Sequence, residues 1–348
     1  MHNRTREALE RLETMIKFGQ VGADGVLPSE RDLAELLRIG RGAVRSVLRV
    51  LGEAGRVRAA ANGRMLLGGV EAKLVGGFHR FLTVAPVPCT SHEALRILSF
   101  MADAANACGA EMVLYSAGDP ADLRERCLGN RYDGVIYFEQ YDPAGAAALA
   151  EFGVPQMVAN LEMYGELPGV GVDYRQIGRL AGRVLVEAGH RNIGYIGGRA
   201  DAYVTLEMTA GLKGALAEDD LAPHYESFLE IDRGEPRNYD RIAGLLAQPE
   251  RPTAFILGRD HLGQYFYQAC RELKLRIPED VSVIGYDNIS WPDAGEFGLT
   301  TIEQPVEAIG REAVALLRRL AAGDESCRQM RLPGQLIRRA SVMPLAEK

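Results

Sequence analysis

Three arginines recur at four-residue spacing near the amino terminus: Arg41, Arg45 and Arg49. On a helix this spacing places all three on one face. Guanidinium groups on such a face can fork onto guanine edges in a DNA major groove or neutralise phosphates. A charged run is often no more than a solvated face. This stripe, however, lacks the interleaved glutamates of a solvated helix, so the pattern favours DNA binding.

The elements around this stripe must position it. Val44, Val47, Leu48 and Leu51 repeat at helical spacing on another face and predict a buried side. A shorter helix is predicted after Pro28, with Ser29 as its cap and Asp32 at its third position. An apolar helix precedes it, with Ala8, Leu9, Leu12, Met15 and Ile16 on one stripe. Two short β segments follow over 57–67, separated by the turn signal Asn62-Gly63.

A second group of polar residues follows the predicted strands of the larger, carboxyl-terminal region. Carboxyl ends of parallel strands meet at one edge of a sheet, which is where α/β proteins bind small molecules. The groups after the strand ends are Pro88–His92, Glu139–Asp142, Tyr203–Met208, Arg259-Asp260 and Asp287-Asn288, with Gln304 before the last helix.

Strands and helices alternate regularly after residue 80, which predicts parallel sheets covered by helices. More than 260 residues of this rhythm imply two sheets. The predicted strands are 81–87, 111–116, 133–138, 155–160, 192–197, 253–258 and 281–286. The predicted helices are 92–107, 120–129, 143–152, 175–188, 204–218, 237–247, 261–274 and 305–322. A Gly-rich linker is expected before them.

Composition narrows the class of protein. The net charge is −7, but residues 1–70 hold 12 Lys and Arg against 8 Asp and Glu, and the rest hold 28 against 39. The five cysteines are widely spaced and predict free, mostly buried thiols, and the six histidines form no ligand pattern. We therefore expect no metal and no cofactor. The charged start is not a signal peptide, and no apolar run is long enough for a membrane span, so a cytoplasmic protein is expected.

The amino-terminal motifs Leu27–Ala34, Gly40–Arg45 and Leu51–Gly55 resemble the GntR-type winged helix over about residues 3–67. The resemblance implies DNA contacts by the arginine of the Pro-Ser-Glu-Arg run, by the recognition-helix arginines and by the wing tip. With Arg38 and Arg49 from the stripe, the predicted DNA-binding residues are Arg31, Arg38, Arg41, Arg45, Arg49, Asn62, Gly63 and Arg64. Two positions depart from the family: Ala43 replaces a threonine and Gly40 a small polar residue, and each loses a hydroxyl that could bond DNA.

The segments 188–198, 278–288, 299–305 and Val172-Asp173 resemble the LacI/GalR family, over about residues 81–344. The resemblance implies a periplasmic-binding-protein-like domain of two parallel-sheet α/β subdomains, so the predicted fold is α/β with a winged helix-turn-helix in front. The expected layout is a winged helix at 1–67, a linker at 68–80 and an effector domain at 81–345. The first subdomain is expected at 81–160 with 303–320, and the second at 161–302 with 321–345. The chain is expected to cross between them near Asn160, Ile302 and Leu320.

The effector is expected between the two sheets, at the carboxyl ends of the parallel strands. In the family that the chain resembles, the aspartate of the Gly-Tyr-Asp motif binds the effector. Asp287 is therefore the strongest ligand candidate, against the alternative that it only caps a loop. The predicted ligand-binding residues are His92, Glu139, Tyr141, Tyr203, Met208, Arg233, Arg259, Asp260, Asp287 and Gln304.

Three of these residues depart from the sugar- and purine-responsive members. Met208 stands where they carry an arginine, Arg259 where many carry asparagine, and Arg233 where an aromatic residue often stacks on the ligand. We hypothesise an effector with an anionic or strongly polar group. The alternative is that Arg233 and Arg259 point outward or pair with Glu139 or Asp142.

The resulting prediction is a ligand-responsive repressor that binds double-stranded operator DNA as a homodimer and has no membrane partner. The effector is expected to be a sugar, a sugar acid or another polar metabolite of a catabolic operon. A solute-binding protein would share the large domain but not the winged helix. An α/β enzyme would need a motif such as G-x-G-x-x-G, a P-loop or G-x-S-x-G, and the chain has none of these.

Overall fold

The computed structural model describes residues 3–17, 21, 26–54, 56–59, 65–67, 78–86, 89, 91–116, 120–129, 132–141, 143–160, 167–219, 228–230, 237–289, 298–324, 326 and 329–344. The linker predicted at 68–80 lies almost wholly outside these residues. By compactness the chain divides into residues 1–170 with 309–330, and residues 171–308 with 331–348.

The described residues of the amino-terminal region form three helices and a pair of short strands. Helices α1 (Asn3–Lys17), α2 (Glu30–Leu36) and α3 (Arg41–Glu53) precede strands β1 (Val57–Ala59) and β2 (Met65–Leu67). The strands pair antiparallel, with Val57 opposite Leu67. Ser29 caps α2 by accepting the Asp32 N–H at 3.3 Å, as its sequence predicts. Four of the five apolar residues of α1 named above are buried, and they share one core with Leu33, Val44, Val47, Leu48 and Leu51.

The first large sheet has six strands in the order β4-β3-β5-β6-β7-β13. Its strands are β3 (Arg80–Ala85), β4 (Glu111–Ser116), β5 (Val135–Phe138), β6 (Gln156–Ala159), β7 (Gly169–Val172) and β13 (Gln329–Leu332). The pairings from β4 through β7 are parallel. The described helices that lie wholly or mostly in the same unit as this sheet are α4 (His92–Ala107), α5 (Pro120–Gly129), α6 (Pro143–Ala150) and α11 (Val306–Ala321).

The second large sheet has the order β9-β8-β10-β11-β12-β14. Its strands are β8 (Ile193–Gly197), β9 (Phe228–Glu230), β10 (Ala254–Leu257), β11 (Ser282–Asp287), β12 (Thr300–Glu303) and β14 (Gln335–Ile337). Among the described pairings of this sheet, β12 with β14 is antiparallel and the others are parallel. Its helices are α7 (Tyr174–Glu187), α8 (Tyr203–Ala217), α9 (Asn238–Leu246) and α10 (Gly263–Glu272), with a 3₁₀ turn at Asp260–Leu262.

The chain passes between the two sheets later than the sequence predicts. The strand β7 pairs with β6 in the first sheet, although the crossover is predicted near Asn160. Similarly β13, beyond Leu320, belongs to the first sheet, and the division between units falls at 308–309 rather than near Ile302. The two strands give no clear apolar run, because β7 contains two glycines and β13 is separated from β14 only by Pro333-Gly334.

Four cysteines are described and all are free thiols: Cys127 and Cys270 are buried, and Cys89 and Cys108 are half-buried. Cys327 lies outside the described residues. Within the part of the chain that the structure covers, no cluster of three His, Cys, Asp or Glu side chains could hold a metal ion. Of the helices that are described, none has the length and apolar character needed to cross a bilayer.

Candidate functional sites

The first candidate site is the solvent face of α3. Arg41, Arg45 and Arg49 are all exposed, whereas Val44, Val47, Leu48 and Leu51 on the opposite side are buried. The N-cap residue of α3 is Gly40, which has extended backbone and no side chain to cap the helix. The described residues Arg31, on α2, and Arg38, before α3, are exposed as well. The wing residues Asn62, Gly63 and Arg64 lie outside the described residues.

The arginine stripe does have acidic neighbours, which corrects one expectation. The Arg45 Nε atom donates to a Glu30 carboxylate oxygen on α2 at 2.9 Å, and Arg49 lies 3.7 Å from Glu53. The Arg45 and Arg49 side chains are still about 70% exposed, at 69% and 73%. Exposed pairs of this kind contribute little stability, so these side chains remain able to exchange their partners for DNA.

The base of the wing is fixed to the rest of the region. Leu27 donates its backbone N–H to the Met65 carbonyl at 2.8 Å, next to the bridge between Val26 and Leu66. The half-buried Arg56 pairs with Glu13 of α1. Arg56 is therefore a structural cation, and the hairpin starts from a rigid base.

The second candidate site is the carboxyl edge of the second sheet, and Asp287 is at its centre. The Asp287 carboxylate is 2% exposed. Its Oδ1 atom accepts a hydrogen bond from Gln304 Nε2 at 2.5 Å, and its Oδ2 atom lies 3.5 Å from Arg259 Nη1. Arg259 is 35% exposed. The structure thus brings three predicted ligand residues into one hydrogen-bonded group, and Arg259 has a partner that was not among those expected from the sequence.

Asp260, another predicted ligand residue, is placed differently. It is 1% exposed and points into the second unit, where the Thr301 hydroxyl donates to both of its oxygens at 2.8 and 3.0 Å. The Ile289 N–H donates to Oδ2 at 3.2 Å. Burial raises the pKa of the Asp260 carboxyl to about 6, against the opposing effect of these hydrogen bonds. Asp260 is therefore a buried link within the unit.

Asn288, beside Asp287, joins a neighbouring group. Its Nδ2 atom donates to Glu303 at 3.3 Å, and its Oδ1 atom accepts from Arg339 at 2.7 Å. Asn288 and Arg339 were not among the predicted ligand residues, although Asn288 follows a predicted strand end. Arg339 gives no such signal, because it follows β14, a strand that the sequence pattern does not predict. The asparagine and the arginine support the same turn as Asp287.

Tyr203 and Met208 lie on α8. Tyr203 is half-buried at the start of the helix, where its ring meets Tyr174 edge-on at 6.2 Å and the Arg331 guanidinium at 5.9 Å. Met208 is fully buried, with its sulfur 3.9 Å from the Tyr195 hydroxyl. Met208 is therefore a core residue. Arg233 is outside the described residues.

The first unit has its own polar edge. Glu139 follows β5 and accepts a hydrogen bond from Asn160 Nδ2, after β6, at 2.8 Å. Both residues have left-handed backbone, with φ of 53° and 50°. Asn160, which the sequence indicated only as a boundary, is the missed member of this pair.

The other two predicted residues of this unit differ from that pair. His92 is exposed at the first position of α4. The Tyr141 ring lies edge-on to Tyr137 at 5.3 Å and packs against the core. The structure therefore shows Tyr141 mainly as a packing residue.

The fold and these groups define a class: a periplasmic-binding-protein-like domain behind a winged helix-turn-helix. The model of the gntR family of bacterial regulatory proteins matches residues 4–65. The model of the periplasmic binding protein-like domain matches residues 170–342. Both modules were predicted from their motifs, and both are confirmed.

Relatives agree with this class. The HTH-type transcriptional repressor PurR of Pectobacterium carotovorum subsp. carotovorum is 35% identical over 204 residues, covering 54% of this chain and 60% of the relative. The repressor of the same name from Photorhabdus laumondii subsp. laumondii is 30% identical over 277 residues, covering 73% of this chain and 78% of the relative. A LacI family transcriptional regulator from Enterococcus faecium, solved with bound ribose, has a TM-score of 0.62 at 26% identity, over 77% of this chain and 100% of that chain.

The chain belongs to the family of LacI- and PurR-type transcriptional regulators, with a GntR-type head. It spans 60% of the length of the first curated relative that it matches. These relatives and structural neighbours are transcriptional regulators rather than enzymes.

Proposed function

We propose that this protein is a ligand-responsive transcriptional repressor that binds operator DNA through its head. The observation that carries the proposal is the exposed arginine face of α3, which stands on a buried apolar core and beside a wing. A helix with this division of faces suits the major groove, where arginine hydrogen-bonds guanine and the phosphates. The candidate DNA contacts are Arg31, Arg38, Arg41, Arg45, Arg49 and the wing residues Asn62, Gly63 and Arg64.

The proposal includes two copies of the chain at a palindromic operator. One helix of 13 residues reaches few base pairs, so a single head gives limited specificity. Two heads on two half-sites supply the missing base contacts. The names of the relatives, which are repressors, support repression and a cytoplasmic location.

The proposed effector is a polar metabolite bound by residues at the carboxyl ends of the strands. In the second unit these are Asp287, Gln304, Arg259 and Tyr203. The first unit, considered by itself, offers Glu139 and His92 at its own strand ends. The effector acts through its different affinities for two conformations of the protein, since only such a difference shifts their populations. The guanidinium of Arg259 supports an effector with an anionic or strongly polar group, such as a sugar acid, rather than a plain neutral sugar.

A mobility-shift assay tests the function. Purified protein is mixed with a fragment carrying the chain's own upstream region, and in parallel with a fragment of equal length from its coding sequence. We expect retardation of the upstream fragment at a concentration at least about tenfold lower. Equal retardation of both fragments, or none at low salt, contradicts the proposal.

A thermal-shift screen tests the effector class. Sugars, sugar acids and amino acids are added in turn, and the melting temperature of the full chain is recorded. A ligand that binds the folded state raises it by mass action. The Arg259→Gln variant should lose most of that shift for a sugar acid and less for its neutral sugar, and an equal loss for both contradicts the anionic class.

A further inference from the structure

The buried carboxylate of Asp260 connects three separate segments of the second unit. It lies at the start of the 3₁₀ turn after β10, accepts from Thr301 on β12, and accepts from the Ile289 N–H after β11. The Asn288 N–H also bonds it. A carboxylate that accepts backbone N–H groups fixes the peptide units that carry them.

Gly285 on β11 makes this connection possible. A Cβ atom at position 285 would lie 1.9 Å from Asp260 Oδ1 and 2.9 Å from a methyl group of Leu299. The Asp260 side chain therefore occupies the volume that any other residue at position 285 would fill. The strand and the aspartate are fitted to each other.

The turn held in this way is strained. Asp287 has φ of 115° and Asn288 has φ of 55°, both in the left-handed region. Non-glycine residues rarely adopt such a conformation, and it persists only where the surroundings fix it. The two amides that follow Asp287 are the ones that Asp260 binds.

We infer that Asp260 is a positioning residue of the effector site: its buried carboxylate holds the left-handed turn that presents Asp287, and loss of its negative charge releases that turn. The part of this inference that concerns the effector rests on the proposed function. The inference also revises the sequence-based expectation that Asp260 itself contacts the ligand.

Acidification provides a way to remove the charge. The titratable or charged groups that face Asp260 are the Arg339 guanidinium and the Tyr267 phenol of α10. Burial raises the pKa of Asp260 to about 6. Because this pKa lies above the ordinary value of 3.8, the contribution of the group to stability is full below about pH 3.8 and is lost as the pH rises through about 6. The unit therefore gains stability as the carboxyl takes up its proton, while the turn loses a charged acceptor.

The test uses the full chain and the fluorescence of its single tryptophan. Trp291 lies outside the described residues, two positions beyond Ile289 in the sequence, and its emission is recorded against pH. Between pH 4.5 and 8.5 we expect one transition in the wild type with a midpoint near 6. Asp260→Asn should abolish it. Asp280→Asn is the matched control, because Asp280 also accepts a backbone N–H, that of Arg276 at 2.8 Å, and this variant should keep the transition.

Hydrogen exchange gives a second measurement at pH 7.5. In Asp260→Asn the Ile289 amide should exchange at least about tenfold faster, while amides of β10 and β11 change less than about twofold. Unchanged protection at Ile289, or a transition near pH 6 that survives in Asp260→Asn, overturns the inference.

If Asp260→Asn does not fold, the same fluorescence titration is carried out on Thr301→Val. Removal of the hydroxyl, whose hydrogen bond lowers the pKa of Asp260, should move the midpoint upward, and an unmoved midpoint overturns the inference. The mobility-shift assay distinguishes failure of this inference from failure of the proposed function. A chain that shows the transition but binds no DNA loses the proposed function and the effector part of the inference, while the role of Asp260 in holding the turn stands. A chain that binds DNA without the transition loses only the inference.

Discussion

The two candidate sites present their polar side chains in opposite ways. On α3 the arginines are exposed and stand on a fully buried apolar face. At the edge of the second sheet, Asp287, Asp260 and Gln304 are buried and held by hydrogen bonds. Exposed charges contribute little to stability, whereas buried ones are costly to disturb. Substitutions on α3 should therefore change binding alone, and those at the sheet edge should change stability as well.

The largest expected effect comes from the helix pair of the second unit. A Cβ atom at Gly178 of α7 would lie 1.9 Å from the Met208 carbonyl oxygen of α8. We expect Gly178→Ala to lower the free energy of unfolding by more than about 3 kcal/mol, because backbone must move to make room. Denaturant unfolding of the purified protein measures it.

Gly214 and Gly42 provide the controls for that substitution. A Cβ atom at either position, on α8 or on α3, meets nothing within 4 Å. Alanine there should raise stability by about 0.5–1 kcal/mol, since glycine is the poorer helix former. Equal destabilisation by all three substitutions would show that the close approach of α7 and α8 is not the cause.

Asp287 should show the next largest effect. Asp287→Ala removes the acceptor of Gln304 and Arg259, and it leaves a Cβ at φ of 115°, so a loss of about 2–4 kcal/mol is expected. Asp287→Gly removes the same hydrogen bonds without the backbone strain and should recover about 1 kcal/mol or more. If both variants unfold at the same denaturant concentration, the left-handed backbone is not strained.

A buried histidine predicts a smaller, pH-dependent effect in the second unit. His190 is 1% exposed, with its ring nitrogens 3.0 Å from the hydroxyls of Thr253 and Ser282. Burial lowers the pKa of His190 below 6.5. Its folded form binds a proton less readily than the unfolded chain, so the stability present above pH 6.5 is lost as the pH falls below it, by at most about 1.4 kcal/mol per pH unit.

His190→Asn isolates this contribution. The difference in unfolding free energy between wild type and His190→Asn should be constant above about pH 7 and shrink toward pH 5. The comparison within one pair of proteins removes the opposite trend that Asp260 contributes. A difference that does not vary with pH would mean that His190 is protonated equally in the folded and unfolded states.

Much of the fold follows from local patterns in the sequence. The strand 111–116 and the helices 92–107 and 120–129 match the structure at both ends. The start of the first helix is defined by Ser91, which caps it by accepting the Ala94 N–H. The short strands β7, β9, β12, β13 and β14 were not predicted. A strand of three or four residues is stabilised by its sheet neighbours, and those are not visible in a local window.

The sequence predicted where the polar residues of the second candidate site lie better than it predicted what each side chain does. Strand ends located Asp287 and Arg259, because parallel topology brings those ends together. Gln304 was located by its position before the last helix. The same pattern does not distinguish a side chain that faces solvent from one that turns inward. Asp260 turns inward because Gly285, 25 residues further on, leaves space for it. That fit depends on tertiary packing, as does the pairing of Arg45 with Glu30.

The central claim is that the α3 arginines bind DNA, and α7 offers a matched control for it. Arg41 and Arg45 are exposed and four residues apart, and so are Arg179 and Arg183 of α7, where Arg179 pairs with Glu218 as Arg45 pairs with Glu30. The decisive measurement is the anisotropy of a labelled upstream fragment, titrated with each double alanine variant at several salt concentrations. The R41A/R45A protein should bind at least about tenfold more weakly, with its salt slope reduced by about 0.9 for each phosphate that it no longer neutralises, while R179A/R183A matches the wild type. Equally weakened binding by both variants, or unchanged binding by R41A/R45A, would contradict the claim.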